Sequence, residues 1–225
     1  MLRKTFAVGM LGCNCSILAD EESKQAVVVD PGDDPDRILM ELAKDDLKVV
    51  AIVHTHAHID HIGGTGRLLS IEGSPKLATL DLPMLDLVGN NLLLDGTDLV
   101  NLDGFSALEI VGNDLSLVAN ADLATLDLPA LQSVGASLSV DDNDALTDIV
   151  LTALMLVGDD LHVEGNALLS TFDLSALTDI GGNLIVSTNA ALPTCAAEAL
   201  RDTIGLANIG GAVSISGNDS AGTCP

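Results

Sequence analysis

Gly135-Ala136-Ser137-Leu138-Ser139-Val140-Asp141-Asp142-Asn143-Asp144-Ala145-Leu146-Thr147-Asp148-Ile149-Val150-Leu151-Thr152-Ala153-Leu154-Met155-Leu156-Val157 is one copy of a repeat. Its frame is Gly135, Leu138, Val140, Asn143, Leu146, Ile149, Leu151, Leu154 and Val157. The preceding copy sets Gly112, Leu115, Leu117, Asn120, Leu123, Leu126, Leu128, Leu131 and Val134 at the same intervals. Glycines recur at 66, 89, 112, 135, 158 and 181, each 23 residues apart. The copy from Gly89 slips by one residue at Leu99 and Leu102 and regains register at Phe105, and a longer last copy carries Gly210, Val213, Ile215 and Asn218. One such unit cannot bury its own leucines, so neighbouring units must stack and share a core.

The Leu-x-Leu pairs predict short strands whose alternate residues face inward, stacked into parallel sheets along a solenoid axis. The asparagines at 120, 143, 166 and 189 predict a ladder at a turn, each amide bonding to the next coil's backbone. Asp81, Asp103, Asp127 and Asp173 flank repeat leucines and read as a solvated acidic face rather than as calcium ligands. Residues 195–204 break the repeat with a short helix. Cys195 and Cys224 bracket the last coil and predict a disulfide closing a C-terminal cap at 195–225, which implies an oxidising compartment.

N-terminal to the repeat the texture changes. Residues 4–10, 14–19 and 25–30 read as strands separated by polar turns. Asp33-Asp34-Pro35-Asp36 opens a helix with an acidic first turn, whose apolar stripe is Ile38, Leu39, Leu42 and Ala43. Residues 48–54 read as a further strand, giving the order β-β-β-α-β. That strand runs into Thr55-His56-Ala57-His58-Ile59-Asp60-His61, and four of the chain's five histidines lie between 54 and 61. Imidazole and carboxylate are the usual ligands of zinc. On an extended segment residues i and i+2 point the same way, so His56 and His58 could reach one metal and, after a turn, Asp60 and His61 another. Cys13 and Cys15 form a C-x-C pair, with Cys15 read as a strand residue.

The composition separates the same two parts. Residues 1–76 hold 8 of the 9 basic and 12 of the 33 acidic residues, net −4. Residues 77–225 hold one basic residue, Arg201, and 21 acidic ones, net −20. Such an acidic chain repels phosphate backbones, which disfavours nucleic-acid binding. No apolar run is long enough for a membrane span. The absence of Trp and Tyr, with only three Phe, leaves a core of aliphatic side chains. The start of the chain has a basic residue pair and an apolar stretch, but glycines break that stretch, so a strand is expected rather than a signal peptide. The front reads as cytoplasmic and the solenoid as extracellular, which leaves the compartment open.

The His-x-His-x-Asp-His segment, with Asn14-Cys15-Ser16-Ile17-Leu18 and Val28-Val29-Asp30-Pro31-Gly32 upstream, resembles the metallo-β-lactamase superfamily, most closely its glyoxalase II-like branch. The resemblance covers residues 1–65. It implies part of an αββα fold, zinc held by His56 and His58 and by Asp60 and His61, a catalytic role for Asp60, and hydrolysis of thioesters or related substrates. The family draws further ligands from downstream segments, whereas downstream here there is one histidine, His162, in a segment that resembles no metal loop. The repeat, residues 66–225, resembles the leucine-rich, right-handed β-helical repeats of receptor L domains and bacterial surface proteins. That resemblance implies binding of a protein or glycan. The combined expectation is a zinc-binding hydrolase remnant with an incomplete, weakly metallated site and weak or absent turnover, fused to an interaction solenoid. The alternative is a non-catalytic surface or secreted binding protein in which residues 1–65 only cap the solenoid.

Overall fold

The structure, a computed structural model, describes residues 1–9, 12–32, 34–53, 70–72, 79–80, 82 and 85–224. The chain divides into two compact units, Met1–Leu69 and Ser70–Pro225.

In the first unit β1 (Leu2–Val8) pairs antiparallel with β2 (Cys13–Ala19), and β2 pairs antiparallel with β3 (Gln25–Val29). Helix α1 (Pro35–Ala43) crosses over to β4 (Lys48–Val53), which lies parallel to β3. Period-two alternation decides which face is covered. Cys13, Cys15, Ile17 and Ala19 of β2 are buried, as are Ala26 and Val28 of β3 and Ile52 of β4. Asp34 caps α1 by accepting from the Arg37 N–H, and Pro35 occupies the first turn, where it costs no hydrogen bond. The apolar stripe of α1 is narrower than the sequence suggests. Ile38 and Leu42 are buried, but Leu39 is 45% exposed and Ala43 is exposed as well. A helix lying on one face of a small sheet buries the i, i+4 line and leaves its flanks wet. Lys4 of β1 reaches the far end of α1, donating to the Glu41 carbonyl at 2.8 Å and pairing with Asp45 at 2.5 Å. Arg37 lies over the Phe6 ring and donates to the Ala7 carbonyl at 2.6 Å.

The second unit is a β-solenoid of about six turns. It begins at β5 (Ser70–Glu72), followed by β6 (Leu87–Val88) and β7 (Leu92–Asp95). The next coil holds β8 (Ile110–Val111), β9 (Leu115–Val118) and β10 (Thr125–Asp127). Then come β11 (Ser133–Val134), β12 (Leu138–Asp141) and β13 (Asp148–Val150), and after them β14 (Leu156–Val157), β15 (Leu161–Glu164) and β16 (Thr171–Asp173). The last coils hold β17 (Asp179–Ile180), β18 (Leu184–Ser187), helix α2 (Thr194–Ile204) and β19 (Val213–Ser216).

Among the described residues these strands form three parallel sheets, ordered β10-β13-β16, β17-β14-β11-β8-β6 and β19-β18-β15-β12-β9-β7-β5. The register stacks like on like: Leu115, Leu138, Leu161 and Leu184 are partners in successive coils. Their side chains point inward with Leu123, Leu126, Leu128, Leu131 and Val134, and all are buried. Phe105, where the slipped copy regains register, is buried too.

The recurring glycines have a steric cause. A β-carbon on Gly135 would stand 2.2 Å from the carbonyl oxygen of Gly112, and one on Gly158 would stand 2.1 Å from that of Gly135. The corner admits no side chain, because successive coils approach there through backbone alone. The asparagine ladder is present and buried, but its direction differs from the expectation. Each amide bonds back to the preceding coil: Asn143 Oδ1 accepts from the Asn120 N–H and Nδ2 donates to the Leu117 carbonyl. Asn166 and Asn189 repeat the pattern, and Asn218 continues it to Asn189. Asp103, Asp127 and Asp173 are exposed, and Asp81 lies outside the described residues.

Candidate functional site

In the sequence, four histidines and an aspartate follow directly after β4. That strand runs parallel to β3 with Val53 opposite Val29, so the C-terminal ends of the two strands lie side by side. Strand, crossover helix and parallel strand make a β-α-β unit, and loops at the C-terminal ends of such strands are recurrent ligand sites. Beyond β3, Asp30 is buried and its backbone is left-handed, with φ 50°. A non-glycine residue in that region costs free energy and is held there by its surroundings. The Cys13 sulfur lies 3.9 Å from the Asp30 carbonyl oxygen. Beyond β4 comes His54, and with it the histidine segment. His56, His58, Asp60 and His61 lie outside the described residues, as does Gly66, the first glycine of the repeat. In kind, three imidazoles and a carboxylate suit zinc.

Cys15 is buried in β2, and burial, reinforced by Cys13 and Asp30, pushes its thiol up to about 12.

In the second unit the one histidine is already engaged. His162 sits on the outward face of β15, between two carboxylates. Its Nδ1 is 3.1 Å from Asp141 Oδ1 and 3.3 Å from Oδ2, and its Nε2 is 3.0 Å from Glu164 Oε2. The parallel register makes this cluster, since β12 and β15 place Ser139 beside His162 and Asp141 beside Glu164. Asp141 and Glu164 carry no motif of their own, although the 23-residue spacing of the copies puts them together. Burial raises the Asp141 carboxyl above its ordinary value, against the opposing pull of His162. Among the described residues no group of three His, Cys, Asp or Glu is arranged to hold a metal ion.

Cys195 and Cys224 are joined in a disulfide with their Cα atoms 6.0 Å apart, tying the first turn of α2 to the end of the chain.

Comparison with known proteins bears on the N-terminal part. Residues 8–79 match the metallo-beta-lactamase superfamily. The match includes the whole histidine segment and runs past Leu69, the end of the first unit. The matched segment is N-terminal, and a β-solenoid follows it. An uncharacterized protein of Aquifex aeolicus is 45% identical over 75 residues, which are 33% of this chain and 35% of that protein. The hydroxyacylglutathione hydrolase GloC of Haemophilus influenzae is 36% identical over 55 residues, 24% of this chain and 26% of the relative. A hydroxyacylglutathione hydrolase of Synechococcus is 33% identical over 91 residues, 40% of this chain and 35% of the relative. The crystal structure of the BLEG-1 B3 metallo-beta-lactamase aligns over 37% of this chain and 43% of that one, at 30% identity and a TM-score of 0.29. The chain spans about a third of the length of the curated relatives it matches. No helix among the described residues is long and apolar enough to cross a membrane.

Proposed function

We propose that residues 1–65 are a zinc-binding remnant of a metallo-β-lactamase-type, glyoxalase II-like hydrolase, and that the solenoid is an interaction module. His56 and His58 are the ligands of one zinc, and Asp60 and His61 those of a second, with Asp60 also the residue nearest to a catalytic role. Bound zinc would supply Lewis acidity for hydrolysis of a thioester or ester. This chain's own residues bind it with too few donors, because a catalytic zinc generally takes three protein ligands.

The observation that carries this reading is where the family match stops. It ends at residue 79. From Leu85 onward the chain is committed to stacked aliphatic coils, and the one histidine there is held between two carboxylates. Weak zinc binding and little or no turnover follow. The solenoid is read as right-handed, built of 23-residue leucine-rich repeats akin to those of receptor L domains, and suited to a protein or glycan partner. Backbone and amide hydrogen bonds between residues 23 apart support that repeat length.

Zinc content of the purified chain, with a thioester hydrolysis assay on zinc-loaded protein, tests the proposal. Substoichiometric zinc that falls further in His58→Ala, with hydrolysis at the level of buffer, is expected. Zinc-dependent turnover at about 10 per second, the middle of the range for enzymes, abolished by His58→Ala, would overturn it.

A further inference from the structure

The solenoid has one rung missing, and a cavity stands in its place. Going from β16 to the next coil, two of the three sheets continue. β18 is joined by β19, and Ile180 of β17 is joined by Ile209 in an isolated parallel bridge. The third sheet stops at β16. The residues one repeat further on, 194–196, open α2 instead of forming a strand. Among the described residues the backbone edge of β16 is therefore left without a strand partner on that side. Between it and α2 lies an open cavity of about 420 Å³.

The lining of this cavity is specific. Phe172 and Leu174 come from the strand side, and Ala199 and Leu200 from the helix. The disulfide-bonded Cys224 and Pro193 also line it. The polar groups at its wall are hydroxyls and one carboxylate, that of Asp173. The only basic side chain in residues 77–225 is Arg201, which pairs with Asp202 at 2.7 Å, so the surroundings are acidic.

From this geometry we infer that β16 accepts an extended peptide segment of a partner protein, which adds as the missing strand, seats an apolar side chain in the cavity and carries basic residues at its ends. An unpaired strand edge bonds an incoming backbone whatever its sequence, and pockets beside it choose the side chains. The strongly acidic surface selects the charge. The inference rests on the reading of the solenoid as an interaction module and is independent of zinc.

The test uses the full chain and a short synthetic peptide of alternating valine and threonine with lysine at each end. Backbone amide exchange is followed by NMR with peptide at millimolar concentration. Thr171 donates its N–H to the Thr147 carbonyl of the preceding coil, so by strand alternation the Phe172 N–H faces the open side. Its exchange should slow at least tenfold, and a glutamate-ended peptide should not produce the effect. Ala199→Trp, which fills the cavity from an exposed position on α2, should abolish binding without lowering the melting temperature. Three results would overturn the inference: no protection of the Phe172 amide, protection only elsewhere in the chain, or protection that survives Ala199→Trp. Zinc content and thioester turnover report on the N-terminal remnant alone, so failure here is distinguishable from failure there.

Discussion

Asn143 Oδ1 accepts the backbone N–H of Asn120 at 3.0 Å, while Asn143 Nδ2 donates to the carbonyl of Leu117 at 3.0 Å. One side chain thus satisfies two buried backbone groups of the preceding coil. Replacing Asn143 with Ala takes this partner from the buried Asn120 N–H, at roughly 1–3 kcal/mol, and one of its bonds from the Leu117 carbonyl, which lies in the β9–β12 ladder. Asn143→Asp keeps the acceptor and loses the donor, and it also buries a charge. Both substitutions should lower the melting temperature, Asn143→Asp more than Asn143→Ala at neutral pH. A variant as stable as the parent would mean that water replaces the amide.

The corner glycines give a second expectation. Gly135→Ala forces its β-carbon against the Gly112 carbonyl, so the coils must separate locally. Overpacking of this kind costs about 1–3 kcal/mol. Urea unfolding should show the loss as a lower midpoint.

A different column predicts the opposite sign. Gly96, Ala119, Asp142, Gly165, Thr188 and Gly217 all have left-handed backbones, with φ between 54° and 70°. At Ala119 the β-carbon makes that conformation unfavourable by about 1–2 kcal/mol, a penalty glycine does not carry. Ala119→Gly should therefore raise the melting temperature, although glycine normally weakens a fold. Thermal melts of the two proteins decide it.

This column shows which parts of the fold were legible. Leucine and glycine spacing revealed the coils because burial and close approach each admit few residue types. The left-handed turn accepts Gly, Ala, Asp and Thr here, so composition concealed it. The asparagines were visible, but their direction depends on which coil's backbone lies within reach, and spacing does not encode that. In the first unit the order of strands and helix followed from alternation and from Pro35. Leu39 misled because hydropathy does not say how wide a face the sheet can cover. The histidine segment was legible as chemistry through its residue types alone. The cluster of His162, Asp141 and Glu164 was not, since it exists only across the register of β12 and β15.

Asp141 sets an unusual pH dependence. Both of its oxygens face His162 Nδ1, at 3.1 and 3.3 Å. Burial raises its folded pKa above the unfolded value. The folded state then binds more protons than the unfolded state in the window between the two values. The contribution is fully present below the unfolded value and is lost as pH rises through the folded one. Glu41 and Asp45 are held low by Lys44 and Lys4, so their contributions have the opposite sign and are lost as pH falls. Asp141→Asn removes its own contribution and leaves those of Glu41 and Asp45. The stability of the variant relative to the parent should increase as pH rises from acid toward neutral, in melts across that range. A difference that does not vary with pH would show that Asp141 does not titrate differently in the two states.

The disulfide offers the last test. Cys195 and Cys224 close a loop with a sequence separation of 29. Loop closure of that length restricts the unfolded chain by roughly 3–4 kcal/mol in the chain-entropy treatment. The bond ties the start of α2 to the end of the chain, while β9, β12 and β15 are held by neighbouring coils on both sides. Reduction, or Cys195→Ser with Cys224→Ser, should therefore loosen the cap before the central coils. Amide exchange in α2 should accelerate by orders of magnitude while exchange in β9, β12 and β15 stays near its original rate. Uniform acceleration along the solenoid would mean that the cap and the coils unfold as one cooperative unit, with the disulfide securing both.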